Sequence, residues 1–372
     1  MNILTFMLAS FYYFYFSVIG IYVIFLPKVL QGIGYSAAEI GIIFAASPLV
    51  RFILPFLFMR GLKLEEKTFN FALLILLLSS LSFYLSLEHF YKLLLSNIFM
   101  GIGMSLTLPY IETIALESIG KQRYGKVRLF GSLGFVLVAL VLVKFLTNPY
   151  TALNFLAVLA FLTVFFAYFI VKNTHQHNEK EQNTQEKNDV SLLKDYKLWL
   201  GLTLMQVSFG SFYNFFTIYE TDHGISLDTT IYLWSFGVLV EIVMLFFQGR
   251  LLHKNLLHIL QFTTFVTVIR WFLLFSAPQN IFLLFFAQSL HAFSFALFHS
   301  SAISYLHQIY QHKKLAQQFF SGITYGFGGL AGAVIAGYVY EWFPNYLFLS
   351  SSIFAFFAFV ALFLYEKEQQ GN

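Results

Sequence analysis

The stretch "WFLLFSAPQNIFLLFFAQSLHAFSFALFHSSAISYLHQIYQH" (residues 271–312) contains no Lys, Arg, Asp or Glu over its whole length. It is far longer than the roughly 20 apolar residues with which an α-helix crosses a bilayer. Two imidazole side chains, His291 and His299, lie in its middle, where a polar group needs a partner or a cavity. The stretch therefore indicates membrane-spanning helices that carry a polar feature in their interior.

The rest of the chain has the same composition. Of its 372 residues, 58% are hydrophobic and 11% are charged, whereas soluble proteins have about 25% charged residues. A β-barrel would show alternating segments of about ten residues, but the apolar runs here reach the length of spanning helices. We therefore predict an all-α membrane protein, and we interpret the N-terminal run as its first span and not as a cleaved signal.

Hydropathy predicts about twelve spans in two six-helix bundles. The predicted spans are 3–26, 37–60, 67–88, 91–116, 125–147, 150–172, 196–220, 229–250, 255–276, 279–307, 315–340 and 343–365. Between the sixth and the seventh lies a polar segment rich in Gln, Asn, Glu and Lys. We therefore predict an N-terminal bundle (1–172), a solvated linker (173–195) and a C-terminal bundle (196–372).

Lys and Arg residues are concentrated in alternate loops between the predicted spans. One set of loops is rich in them, whereas the opposite set holds only Lys28, Lys92 and Lys144. Loops with an excess of Lys and Arg stay on the cytoplasmic side. We therefore predict that both termini and the linker are cytoplasmic, in a bacterial-type inner membrane. The net charge of +4 follows from this bias and indicates no nucleic-acid partner.

The two halves contain a weak internal repeat. With an offset of 190 residues, "GYSAAEIGIIFAASPLVRFILPFLFMRGLK" (34–63) aligns without a gap on "GISLDTTIYLWSFGVLVEIVMLFFQGRLLH" (224–253). The alignment places Arg51 opposite Glu241 in the middle of the paired helices. Repeated halves with a binding site near the bilayer midplane are typical of secondary transporters.

Ionisable side chains lie deep in three spans of the C-terminal half: Glu241, Arg270 and His291. A charge at such depth costs at least about 2.5–3.5 kcal/mol on insertion scales, so it faces a cavity or a partner. We predict that the three form a proton-coupling network; the alternative is a purely structural contact between helices. His299 lies about 80° further round a regular α-helix than His291, and we assign it to the same set.

Four further polar residues are predicted to bind substrate. Arg51 lies in the middle of the second span, and Asn214 lies in the seventh, where an amide seldom faces lipid. Glu112 and Arg128 lie at similar depth in the fourth and fifth spans, which makes an ion pair between them reasonable. Glycines in "GSLGF" (131–135) and "GITYGFGGLAG" (322–332) predict close approach of the fifth and eleventh spans to their neighbours.

Several classes of chemistry have no support in the chain. It has no cysteine, which excludes disulfides and thiolate metal sites. It has no phosphate-binding glycine loop with Lys and Ser or Thr, no cluster with metal-ligand spacing, and no evident set of nucleophile and base. We therefore expect no enzymatic activity, no cofactor and no metal site.

The sequences of three segments resemble those of a known family. "YGKVRLFGSLGFV" (124–136), "RWFLLF" (270–275) and "AQSLHAFSFALFH" (287–299) resemble the phenylpropionate permease-like branch of the major facilitator superfamily, which is related to lactose permease and the oligosaccharide:proton symporters. The resemblance covers nearly the whole chain.

The resemblance implies roles for particular residues. Glu241 matches a glutamate tied to sugar and proton binding, and Arg270 and His291 match members of the proton network. Arg128 matches an arginine that grips substrate. Two positions depart from the pattern: Ser294 stands where lactose permease has its main proton-carrying acid, and Arg60 stands where a cytoplasmic aspartate is usual.

The resemblance implies a secondary transporter that works by alternating access. We expect proton-coupled symport of a small organic solute and favour an aromatic carboxylate such as phenylpropionate. A sugar or nucleoside symporter is the alternative, and a non-transporting membrane receptor or scaffold is the alternative of another class. The expected partners are the substrate, the proton and the lipid bilayer, and the expected state is a monomer.

Overall fold

The computed structural model describes residues 3–174 and 190–371, and long helices dominate both ranges. The spanning helices are α1 (Ile3–Gly32), α2 (Ala37–Met59), α3 (Glu66–Ser86), α4 (Phe90–Gly120), α5 (Arg123–Phe145), α6 (Pro149–Thr174), α7 (Tyr196–Ser208 and Gly210–Asp222), α8 (Leu227–Phe247), α9 (Leu256–Ser276), α10 (Ile281–Ile309), α11 (Leu315–Trp342) and α12 (Pro344–Gln370). Within the described ranges, the eleven helices other than α7 are long and apolar enough to cross a membrane. Helices suit a bilayer because each one satisfies its own backbone hydrogen bonds. The predicted all-α fold is confirmed.

Helix α7 is interrupted in its middle. It consists of two 13-residue segments separated by Phe209, each shorter than the thickness of a bilayer. At the interruption, Gly210 lies directly on the backbone of Gly332 in α11, where an added methyl group would overlap it. Asn214 Nδ2 donates to the Gly210 carbonyl over 2.7 Å. The close approach predicted from the glycines of the eleventh span is therefore present.

The starts of α2 and α8 share the same local structure. Gly34 and Gly224, which the repeat aligns, both have positive φ values, 104° and 88°, a conformation that glycine adopts without steric cost. Two residues later a serine caps the helix: Ser36 Oγ accepts from a backbone N–H three residues on, and Ser226 Oγ does the same. The internal repeat therefore extends to turn and cap geometry.

The described residues form two compact units. The first comprises residues within 1–35 and 56–183, and the second those within 36–55 and 184–372. The first part of α2 belongs to the second unit because it packs on α11; a methyl group added to Gly41 would meet the backbone of Gly337. The predicted division into bundles 1–172 and 196–372 stays a prediction, and most of the predicted linker, residues 175–189, lies outside the described ranges.

The core of the first unit is built around α1. Phe11, Tyr12 and Tyr15 are almost completely buried against α3, α4 and α6. Tyr15 Oη donates to the Met104 carbonyl of α4 over 2.9 Å. Helix α5 also contacts α1, since the Tyr12 and Tyr124 rings lie 6.3 Å apart.

We expect Gly134→Ala to destabilise the protein strongly. A Cβ at Gly134 would overlap the Tyr13 carbonyl of α1, and overpacking of this kind costs about 1–3 kcal/mol. The measurement is the midpoint of thermal unfolding in detergent. Gly125→Ala, in the same helix but with no atom within 4 Å of the new methyl group, is the matched control. Equal midpoints for the two variants would contradict the close packing of α1 on α5.

Candidate functional site

Three polar side chains from α8, α9 and α10 meet inside the second unit. Arg270 Nη1 lies 2.9 Å from His291 Nδ1, and His291 Nε2 lies 3.5 Å from Glu241 Oε2. Arg270 is fully buried and His291 is 5% exposed, whereas the Glu241 side chain is 18% exposed. The structure thus brings together the three residues predicted to form a network, and Glu241 is the most accessible of them. Their role in proton coupling stays a prediction.

The contacts of His291 define the form of its imidazole. An arginine guanidinium only donates hydrogen bonds, so Nδ1 of His291 accepts from Arg270. The ring proton then lies on Nε2, which points at the Glu241 carboxylate. A neutral imidazole consequently links the Glu241 carboxylate to the Arg270 guanidinium. A change of charge on either group therefore alters the electrostatic potential at the other.

Arg270 has further neutral acceptors. Its Nη1 donates to Ser294 Oγ over 3.0 Å, and its Nη2 donates to Gln288 Oε1 over 3.0 Å. Its guanidinium carbon lies 4.5 Å from the ring centre of Phe212 and 4.4 Å from that of Trp271, close enough for cation–π attraction. Arg270 is therefore stabilised by a hydroxyl, an amide and two aromatic faces instead of by a directly paired carboxylate. Ser294 is one of its hydrogen-bond acceptors.

Helix α10 is distorted next to this network. Residues Ala292–Leu297 form a π-helical turn, a feature that is frequent at functional sites. The His291 and Phe295 rings are stacked at 5.2 Å, and Phe295 and His299 are stacked at 6.3 Å. The offset of about 80° between the two histidines assumed a regular α-helix, whereas this turn is wider, and the three rings form one column.

His299 belongs to a separate contact. Its Nδ1 lies 2.7 Å from the Tyr325 hydroxyl of α11, and its ring packs against Phe320 of the same helix. The structure therefore places it at the far end of the ring column, one aromatic ring away from His291.

Arg51 lies near the same two tyrosines as Glu241. Tyr213 of α7 is within electrostatic range of Arg51, Glu241 and Arg270. Tyr325 is likewise within range of Arg51 and Glu241. The Arg51 side chain is exposed. The two positions that the repeat aligns, one basic and one acidic, thus face a common pair of tyrosines.

Asn214 is not joined to this set. Its amide nitrogen is committed to the Gly210 carbonyl of its own helix, where it supports the interruption of α7. The predicted substrate-binding role therefore finds no support in its contacts.

Sequence reasoning also missed Gln288, although it lies three residues before His291 on the same helical face, which is a usable signal. Nothing in the sequence distinguishes Tyr325 from the other tyrosines of the chain, which has 22 in all.

The predicted pair in the first unit is present. Arg128 Nε lies 3.6 Å from Glu112 Oε1, and Tyr124 Oη donates to the same oxygen over 3.0 Å. The Arg128 guanidinium carbon lies 3.8 Å from the ring centre of Phe16. Both charged side chains are about one-third exposed, at 30% and 32%, so the pair remains accessible to a bound solute.

Comparison with solved structures shows the fold. The chain superimposes on a mutant form of the nucleoside transporter NupG with a TM-score of 0.80 and 17% identity, covering 98% of this chain and 99% of the other. The POT family transporter PepTSo gives a TM-score of 0.75 at 10% identity, with coverage of 99% and 97%. Both similarities concern the architecture alone.

Comparison of sequences identifies the family. The chain is 26% identical over 376 residues to a probable 3-phenylpropionic acid transporter of Escherichia coli (strain K12), covering 97% of each chain. It is 24% identical over 253 residues to the uncharacterized transporter YwbF of Bacillus subtilis (strain 168), covering 64% of this chain and 61% of the relative. The model of the MFS_1 like family matches residues 5–363. The protein is therefore a multi-pass membrane transporter that belongs to the MFS_1 like family.

Proposed function

We propose that this protein is a proton-coupled symporter of small aromatic carboxylates that works by alternating access. The observation that carries the proposal is the buried network of Glu241, His291 and Arg270, with its carboxylate at the accessible end. The name of the Escherichia coli relative, a probable 3-phenylpropionic acid transporter, supports the choice of substrate class.

Aromatic side chains supply the surface for a phenyl group. The column of His291, Phe295 and His299 continues through contacts to Tyr325 and Phe320. Offset or edge-on packing of a substrate ring against such side chains contributes about 0.5–1.5 kcal/mol beyond its area burial. The substrate carboxylate would pair with the exposed guanidinium of Arg51.

Coupling between substrate and proton follows from the position of Glu241. A carboxylate held by Arg51 and the carboxylate of Glu241 would both act on Tyr213 and Tyr325. Two like charges in one site repel each other, which disfavours the ionised form of each. Protonation of Glu241 removes this repulsion. Substrate binding and proton binding therefore strengthen each other, and by linkage the effect is reciprocal.

Uptake into proteoliposomes with an imposed pH gradient tests the function. We expect accumulation of aromatic carboxylates above the level of equilibration, and proton entry that accompanies it. The panel includes sugars and nucleosides, and accumulation of those solutes alone would contradict the substrate class. An absence of uptake for every solute would favour a receptor or scaffold.

We expect Arg51→Gln to weaken transport of carboxylates selectively. Loss of a charged hydrogen-bond partner costs about 1.5–3 kcal/mol, which raises the KM for phenylpropionate about tenfold to a hundredfold. Binding of the corresponding neutral amide should change little, because it lacks the charge that Arg51 recognises. The control is Arg250→Gln, an exposed arginine three residues after the end of α8. Equal losses for the acid and the amide would argue against pairing with Arg51.

A further inference from the structure

A second carboxyl group lies buried in the same unit, away from the network described above. Glu220, in the last turn of α7, is completely inaccessible to solvent. Neither of its carboxyl oxygens has a hydrogen-bond partner among the described residues. In the sequence, Glu220 is the last residue of the aromatic stretch "SFYNFFTIYE" (211–220).

Helical periodicity defines the face on which Glu220 lies. Thr217 and Phe216, three and four residues earlier, are on the same face of α7. Both contact Trp234 of α8: its Nε1 donates to Thr217 Oγ1 over 3.0 Å, and its ring packs edge-on against Phe216. Glu220 therefore faces α8 one turn beyond Trp234, in an environment dominated by apolar and aromatic groups.

The titratable groups of the surrounding elements leave Glu220 without a partner. They include Tyr213, Tyr219 and Asp222 on its own helix, His223 directly after it, and Asp228, Tyr232, Glu241, Arg270, Tyr338, Tyr340, Glu341 and Tyr346 on the elements packed against it. None of them forms a hydrogen bond with either oxygen of Glu220. An ionised carboxylate in such a position would lose its hydration without compensation, so the group is stable there only when it carries a proton.

Solvent comes close to Glu220 through the end of α7. A groove of about 900 Å³ is lined by Asp222 and His223, which follow Glu220 directly in the chain. Asp222 is exposed and accepts a hydrogen bond from Tyr340 over 2.7 Å. The His223 ring lies 4.1 Å from the Tyr219 ring. Titratable groups thus extend from the groove to the turn that holds the buried carboxyl.

We propose that Glu220 is a second proton-binding site, within one helical turn of the residues that line this groove, and that it holds a proton in the resting protein. The site is separate from Glu241, and its protonation does not depend on the substrate class proposed above.

Infrared difference spectroscopy of the resting protein in liposomes tests the proposal. We expect the carbonyl stretch of a protonated carboxyl group at neutral pH. The band should be absent from Glu220→Gln and present in Glu241→Gln and in Glu88→Gln, which alters an exposed carboxylate. A band that persists unchanged in Glu220→Gln would overturn the assignment.

A further measurement keeps the test independent of folding and of transport. In the unsubstituted protein, the band should shift when glutamate is isotopically labelled and not when aspartate is labelled; the opposite result excludes Glu220. Because no substrate is present, these outcomes stand whether or not aromatic carboxylates are transported.

Discussion

Glu241→Gln is expected to abolish accumulation driven by a pH gradient while exchange of substrate across the membrane continues. The amide keeps the volume of the carboxyl group and can still accept from His291 Nε2, so the network retains its geometry. It cannot bind or release a proton, however. A gradient of one pH unit supplies about 1.4 kcal/mol per proton, or about tenfold accumulation. In the variant this accumulation should fall to simple equilibration.

The same variant should bind substrate without the repulsion that a negative charge on Glu241 exerts on the carboxylate of the substrate. Glu117→Gln, an exposed carboxylate of the first unit, is the control for the removal of one negative charge. Intact accumulation by Glu241→Gln would rule out Glu241 as the coupling group and direct attention to Glu220.

Arg270→Lys is expected to cause a second large loss, in both stability and transport. The guanidinium reaches His291 and Ser294 from one nitrogen and Gln288 from another. An ammonium group is a single point charge without this planar fork. Each hydrogen bond lost at a buried charge costs about 1.5–3 kcal/mol, so uptake should fall at least about tenfold.

Two measurements separate the effects of this substitution. Thermal unfolding in detergent reports the loss of packing, and exchange at equal pH on both sides reports whether the solute is still carried. Arg123→Lys, an exposed arginine at the start of α5, is the matched control. If Arg270→Lys matched the control in uptake and in unfolding midpoint, the network would be dispensable.

The depth of the functional residues was predictable from the sequence. Each residue advances an α-helix by a constant rise, so the position of Glu241, Arg270 and His291 within their spans indicates that they lie at compatible levels. Their mutual contact follows if each faces the interior, as buried charges in a bilayer do. The Glu112–Arg128 pair was predictable for the same reason.

The faces of the helices were less predictable. The sequence does not show the π-helical turn in α10, which changes the rotation that a regular α-helix would give between His291 and His299. The amide of Asn214 donates to the backbone where α7 is interrupted, and its predicted role in substrate binding stays a prediction. Ser294 was recognised only as the absence of an acid, whereas the structure shows it as an acceptor for Arg270.

What the sequence determined by itself is the helical, multi-span architecture and the short set of polar residues inside it. The reason is local: a segment in a bilayer must satisfy its own backbone and bury few charges, so length and hydropathy are sufficient. Only the tertiary structure decided which of those residues meet, because contacts between helices depend on their rotation and on local distortions. The burial of Glu220 without a partner is of this kind, since it depends on how α7 packs on α8.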